Sequence, residues 1–150
     1  RSVSRGLGDV YKRQTSYETV NEDGSFRNIV HIDERLDYKK FLKKPPTCSH
    51  TIMFDTELVD KKALVMPDIR KRQDAATWLQ VIKLYGCLHG FDEVLAANRK
   101  RSDSLSANKV SAVKGTWFLY TEIEGLSKPY AGYCLFWQMF HAVLKRIGKR

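Results

Sequence analysis

Paired cysteines, clustered histidines and long hydrophobic runs are all missing from this sequence. The three cysteines, Cys48, Cys87 and Cys134, are far apart and odd in number, which fits neither a disulfide framework nor the paired Cys-x-x-Cys ligands of a zinc site. A reducing cytoplasm is the compartment that such usage implies. His31, His50, His89 and His141 are scattered without the spacing of a ligand pair and read as ordinary surface or core side chains. No apolar run follows the first arginine, so the reading includes no signal peptide and no N-terminal anchor. Internal repeats and low-complexity segments are absent as well.

What is there is enough for one globular core. The 150 residues are 43% hydrophobic and 11% aromatic, and lysine plus arginine (26) outnumber aspartate plus glutamate (17) to leave a net charge of +9. Such a surface attracts phosphates, whether of nucleotides, nucleic acid or lipid headgroups, and charge alone does not choose among them. Residues 1–14, RSVSRGLGDVYKRQ, differ in composition from the rest and resemble translated sequencing-adapter read-through. They are expected to be a non-native, disordered leader. Gly6 and Gly8 do not make a phosphate loop, because Tyr11 stands where a third glycine is needed and no apolar strand precedes them.

Beyond the leader, 15–20 reads as a strand and 21–25 as a turn in which Gly24 can take positive φ. Asp37 can cap a short helix through Tyr38, Phe41 and Leu42, which Pro45-Pro46 brings to an end. The segment 49–54 reads as a buried strand, with Asp55 capping a helical turn to about residue 62. From Asp74 the helical period is plain in Ala75, Trp78, Leu79 and Ile82, and Gly86 marks the stop. Two short strands, 87–91 and 94–97, split at Asp92-Glu93, are followed by the basic loop Arg99-Lys100-Arg101. A second long helix aligns Val110, Val113, Trp117 and Tyr120. A third, from Pro129 to about residue 147, is apolar nearly all round until its basic end. That run falls short of the roughly 20 residues a spanning helix needs, so the segment 129–150 is expected to lie on a membrane surface or pack on another part of the protein.

The densest chemical signal is Met66-Pro67-Asp68-Ile69-Arg70-Lys71-Arg72-Gln73-Asp74, which delivers a carboxylate to a helix start among cations. The helix dipole and those cations stabilise negative charge there, as a proton-accepting group requires. The plainer alternative is that Asp74 only caps the helix.

The string Arg72-Gln73-Asp74 with Thr77-Trp78-Leu79 resembles the signature of family 2 glycosyltransferases, and Arg-Gln-Asp resembles members of the teichuronic-acid type. Tyr85-Gly86, Glu93-Val94-Leu95-Ala96, Arg99, and the run from Ser102-Asp103-Ser104 to Asn108-Lys109 follow in the family's order, as do Ala112, Lys114, Trp117, Tyr120 and Leu126-Ser127. Upstream, Ser16-Tyr17-Glu18 and Glu22-Asp23-Gly24 resemble the strand and turn after the family's metal-binding motif. The resemblance implies an α/β fold, specifically the C-terminal part of a GT-A fold with mixed short strands and two or three helices. On that reading 15–128 is the C-terminal half of the catalytic domain and 129–150 an amphipathic basic helix.

The implied activity is inverting transfer of a sugar from a nucleotide-sugar donor to an acceptor hydroxyl of a glycan or lipid-linked glycan, in bacterial surface-polysaccharide synthesis. Asp74 would be the catalytic base. Arg72, Gln73, Arg99, Arg101 and Ser104 would bind substrate, with Arg99 and Arg101 in the loop over the donor diphosphate. The family also implies Mg²⁺ or Mn²⁺ held by an Asp-x-Asp motif, and no Asp-x-Asp occurs here; Asp55-x-Glu57 comes nearest and reads better as a capped turn. No metal ligand is therefore assigned in this chain, which is expected to be inactive alone. The implied location is the cytoplasm, with peripheral contact on the inner face of the plasma membrane. Two rival readings are a nucleic-acid-binding module, from the net charge and Arg99-Lys100-Arg101 near aromatics, and a non-catalytic membrane-surface module built around 129–150; the resemblance itself implies no nucleic-acid partner. Trp78 and Trp117 have the chemistry to stack on a sugar ring, but on apolar helix faces they read as core.

Overall fold

A computed structural model of the chain describes residues 12–45, 49–100 and 109–147. Among the described residues, strand β1 (Lys12–Val20) lies at the centre of a five-stranded mixed sheet. Along one edge it runs parallel to β5 (Cys87–Arg99). Along the other it pairs antiparallel with β4 (Ile52–Phe54) over 12–14 and with β2 (Phe26–Val30) from Tyr17 onward. A short β3 (Arg35–Asp37) pairs antiparallel with the start of β5. The β1–β2 turn is built as its residues dictate: Gly24 takes φ +85°, and the Asp23 carboxylate accepts from the Ser25 amide at 2.9 Å.

Among the described residues four helices complete the α/β architecture: the short one expected after Asp37 and three longer ones. Helix α1 (Tyr38–Lys43) is capped by Asp37, which accepts from the Lys40 amide at 2.8 Å. Helix α2 (Gln73–Tyr85) ends at Gly86, whose φ of +101° suits only glycine. Helix α3 (Lys109–Phe118) continues into a π-helical turn, Leu119–Ile123, and α4 (Lys128–Ile147) follows. The core forms where α1, α2, the π turn and α4 meet the sheet, around Phe41, Leu42, Trp78, Leu79, Ile82, Leu88, Tyr120 and Cys134.

Several expectations are corrected. β1 begins three residues inside the stretch set aside as a leader, because the main chain of 12–14 finds partners on both β4 and β5, and strand pairing needs only backbone donors and acceptors. Residues 1–11 lie outside the described residues. The expected break at Asp92-Glu93 is a bulge within one strand: Thr15 faces Phe91 and Ser16 faces Val94, so two residues are passed over without ending β5. Asp92 is held there by the Ser16 hydroxyl, which donates at 2.5 Å, and by His31 Nδ1 at 2.8 Å. These two contacts hold the carboxyl below the usual aspartate range, the serine contributing more.

In the segment expected as one buried strand, Ser49–Thr51 is a 3-10 turn, and only Ile52–Phe54 is strand, with Met53 exposed. Asp55 does open a turn, its carbonyl accepting from the Val59 amide at 2.9 Å, but the helical segment comes later, as a 3-10 helix at Lys61–Leu64 with Asp60 as its cap. On α3 the expected face is only partly buried: Tyr120 is in the core, but Val110, Val113 and Trp117 are exposed, and Thr116 and Leu119 are buried instead. The extra residue of the π turn rotates the chain so that two consecutive side chains reach the core.

Glycine is required at one close approach. A Cβ on Gly90 would stand 2.2 Å from the Asp33 carbonyl oxygen, where the chain entering β3 crosses β5. On α4, Ala131 and Cys134 face the core while Tyr133, Phe136, Met139, Phe140, Val143 and Leu144 are exposed. Among the described residues no helix is long and apolar enough to cross a membrane.

Candidate active site

The loop before α2 carries cations, and its last residue is held in an unusual backbone conformation. Arg72 has φ 67° and ψ 22°, the only positive φ outside glycine among the described residues. A left-handed conformation costs a branched-free residue such as arginine about 1 to 2 kcal/mol, so something other than local preference keeps it. Its backbone carbonyl accepts from the Ala76 amide at 2.9 Å and so starts the helix, while its side chain makes no capping bond.

Asp74, in the first turn, is not the N-cap. One carboxylate oxygen accepts from the Ala75 amide at 2.8 Å, and the other accepts from the Ser49 hydroxyl at 2.8 Å. A carboxylate offers about four acceptor positions, so two such bonds orient the group and leave capacity for an incoming proton. Ser49 comes from the 3-10 turn before β4, 25 residues away in sequence. It was missed in the sequence because no local pattern joins it to α2.

Asp74 lines a pocket of about 310 Å³ together with Arg72, Trp78, Lys100, Tyr120 and Gln138, among others. The floor is built by burial. Tyr120 donates its hydroxyl to the Leu42 carbonyl at 2.5 Å, and Gln138 on α4 donates to the same carbonyl at 2.9 Å and also contacts the Tyr120 hydroxyl. Trp78 is 5% exposed and meets Phe41 edge-on at 6.1 Å, so it belongs to the core and shows only part of its surface to the pocket. Trp117 lies on the exposed side of α3 and does not line this pocket.

The expected substrate-binding residues divide. Arg72 joins Asp74 in the pocket. Gln73 is exposed at the helix start, and its carbonyl accepts from the Thr77 hydroxyl at 3.1 Å, but it does not line the pocket. Arg99 is the last residue of β5, opposite Val20, and is likewise not in the lining. Its neighbour Lys100, whose amide donates to the Val20 carbonyl at 2.9 Å, lines the pocket in its place. Arg101 and Ser104 lie outside the described residues.

The described pocket residues do not fit a divalent metal. Asp74 is their single carboxylate and shares the space with Arg72 and Lys100, and no group of three histidine, cysteine, aspartate or glutamate side chains among the described residues could hold an ion. Asp55, the nearest thing to an acidic pair in sequence, is tied into its own turn by the Glu57 amide at 2.9 Å. His31 is engaged by Asp92, and His89 Nε2 lies 3.4 Å from the Cys87 sulfur.

No family model and no solved structure matches the chain. Over 134 residues it is 38% identical to the Bacillus subtilis (strain 168) protein named "Putative teichuronic acid biosynthesis glycosyltransferase TuaG". That alignment covers 89% of this chain and 52% of the Bacillus protein, so the chain spans about half the length of the curated relative it matches.

Proposed function

We propose that the chain supplies the acceptor side of an inverting family 2 glycosyltransferase of GT-A fold, which moves a sugar from a nucleotide-sugar donor to a hydroxyl in bacterial cell-surface polysaccharide synthesis. The observation that carries the reading is Asp74: a carboxylate oriented by Ser49 and by the Ala75 amide, opening into a pocket it shares with Arg72 and Lys100. The 38% identity to a protein named as a teichuronic acid biosynthesis glycosyltransferase supports the coarser part of this reading, a glycosyltransferase.

In this mechanism Asp74 accepts the proton of the acceptor hydroxyl as its oxygen attacks the anomeric carbon, and the nucleotide departs from the opposite face. General-base assistance of this kind is worth roughly 10² to 10⁴ in rate. Arg72 and Lys100 line the same pocket, where their charges balance negative charge that substrate brings. The Mg²⁺ or Mn²⁺ expected of the whole enzyme belongs with an Asp-x-Asp motif that this sequence lacks, so no step is assigned to a metal here.

The test is a chimera in which the matching segment of the Bacillus protein is replaced by residues 15–150 of this chain. Release of nucleotide from a panel of nucleotide sugars, dependent on added glycan acceptor, is the expected result. A folded chimera that binds donor yet turns over none of them, beside an active Bacillus parent, contradicts the reading.

A second reading concerns α4. The exposed stripe of Tyr133, Phe136, Met139, Phe140, Val143 and Leu144 lies opposite the face carrying Ala131 and Cys134, and the sequence ends in Lys145-Arg146 and Lys149-Arg150. An apolar face next to a basic cluster suits peripheral binding to an anionic bilayer, the inner face of a plasma membrane being the expected one. Flotation with anionic but not neutral liposomes, lost when Phe136 and Phe140 become serine, is the outcome that supports it. Equal flotation with both lipid types contradicts it.

A further inference from the structure

Beside the Asp74 pocket lies a second cavity of about 390 Å³, and the two share Pro45, Arg72, Lys100 and Gln138. Five cations line it: Arg27 from β2, Lys43 and Lys44 at the end of α1, Arg72 before α2, and Lys100 after β5. Among the described residues no carboxylate does. Lys44 pairs with Asp33 at 3.0 Å, and Lys43 sits 5.2 Å above the Tyr133 ring. Among the described residues, Arg27, Lys43, Arg72 and Lys100 have no ion-pair partner. Four segments distant in sequence thus converge like charges on one space, an arrangement that repels itself until an anion occupies it.

We propose that this groove binds the diphosphate of a phosphorylated acceptor, whose hydroxyl then reaches Asp74 in the adjoining pocket. The inference rests on the proposed transferase reading. In an inverting displacement the attacking oxygen and the leaving nucleotide lie on opposite faces of the anomeric carbon, so an anion site continuous with the base's own pocket is on the acceptor's side. A diphosphate suits the site better than a carboxylate, because a single negative charge would leave most of the cations unbalanced. Thr19 and Asn28, also in the lining, add a hydroxyl and an amide able to bond phosphate oxygens.

The test uses the full chain and inorganic pyrophosphate, titrated calorimetrically against glucuronate, uridine diphosphate and a short single-stranded RNA at matched salt. Pyrophosphate should bind, and about tenfold or more tightly than glucuronate. The double variant Arg27→Gln, Lys43→Gln should lose at least about tenfold in pyrophosphate affinity, while Arg27→Lys, Lys43→Arg restores it. Lys61→Gln with Lys62→Gln, on the exposed 3-10 turn outside the groove, removes the same charge and should leave affinity unchanged.

Absence of pyrophosphate binding, or equal loss in the Lys61, Lys62 control, overturns the inference. So does RNA binding more tightly than pyrophosphate, which would make the groove a nucleic-acid site. Uridine diphosphate competing with pyrophosphate and losing affinity in the same variants would give the groove to the donor instead. None of these readouts needs sugar transfer. An absent pyrophosphate site leaves the role of Asp74 standing, and an Asp74→Asn variant with normal turnover removes that role while the measured pyrophosphate site remains.

Discussion

The Tyr120 hydroxyl donates to the Leu42 carbonyl at 2.5 Å, joining the π turn after α3 to the end of α1 across 78 residues. Burial above all raises the pKa of this phenol above the ordinary tyrosine range, and burial followed by the Glu124 hydrogen bond does the same for Tyr38. The unfolded chain releases these protons near pH 10, whereas the folded chain retains them to higher pH. The folded state therefore binds more protons in that window, and stability falls as pH rises through it. Urea unfolding from about pH 8 to about pH 11 should show a midpoint that holds and then declines, with Tyr120→Phe flattening the decline. A midpoint equally steep in the variant contradicts this assignment.

Gln14 is 1% exposed in β1, and neither polar atom of its side chain has a partner among the described residues. A buried amide without partners costs about 1 to 3 kcal/mol. Gln14→Leu should raise stability by about 1 to 3 kcal/mol, measured by urea unfolding. A loss of stability would mean that the amide is satisfied after all.

Arg72→Gly separates strain from function. Glycine removes the left-handed penalty, so the urea midpoint should rise or hold, a gain of up to about 1 kcal/mol. Pyrophosphate affinity should fall, because a guanidinium leaves both cavities. A lowered midpoint with unchanged affinity would make Arg72 a structural residue.

How much of this was legible in the sequence follows from how local each cause is. The β1–β2 turn at Gly24, the Asp37 cap and the whole of α2 with its Gly86 stop were readable, because a period or a cap is written within a few residues. The continuity of β5 was not, since the bulge at Asp92 is held by Ser16 and His31, distant in the chain. Nor was the buried face of α3, which the π turn rotates. At the candidate site Asp74 and Arg72 were visible as a motif, but Ser49, Gln138 and the groove cations are brought in by folding alone. Arg99 and Lys100 show the limit most clearly. The sequence marks the basic stretch, and only the end of pairing at Val20 decides which of the two faces the cavity.

The chimera carrying Asp74→Asn distinguishes a carboxylate that takes a proton from one that merely steadies a helix. Asparagine keeps the size of the side chain and its acceptor oxygen for Ser49 or the Ala75 amide, while losing the capacity to act as base. Donor binding, measured by calorimetry, should be retained and kcat should fall by roughly 10² or more. Turnover within a small factor of the unsubstituted chimera, with the donor site intact, would mean that Asp74 is not the base.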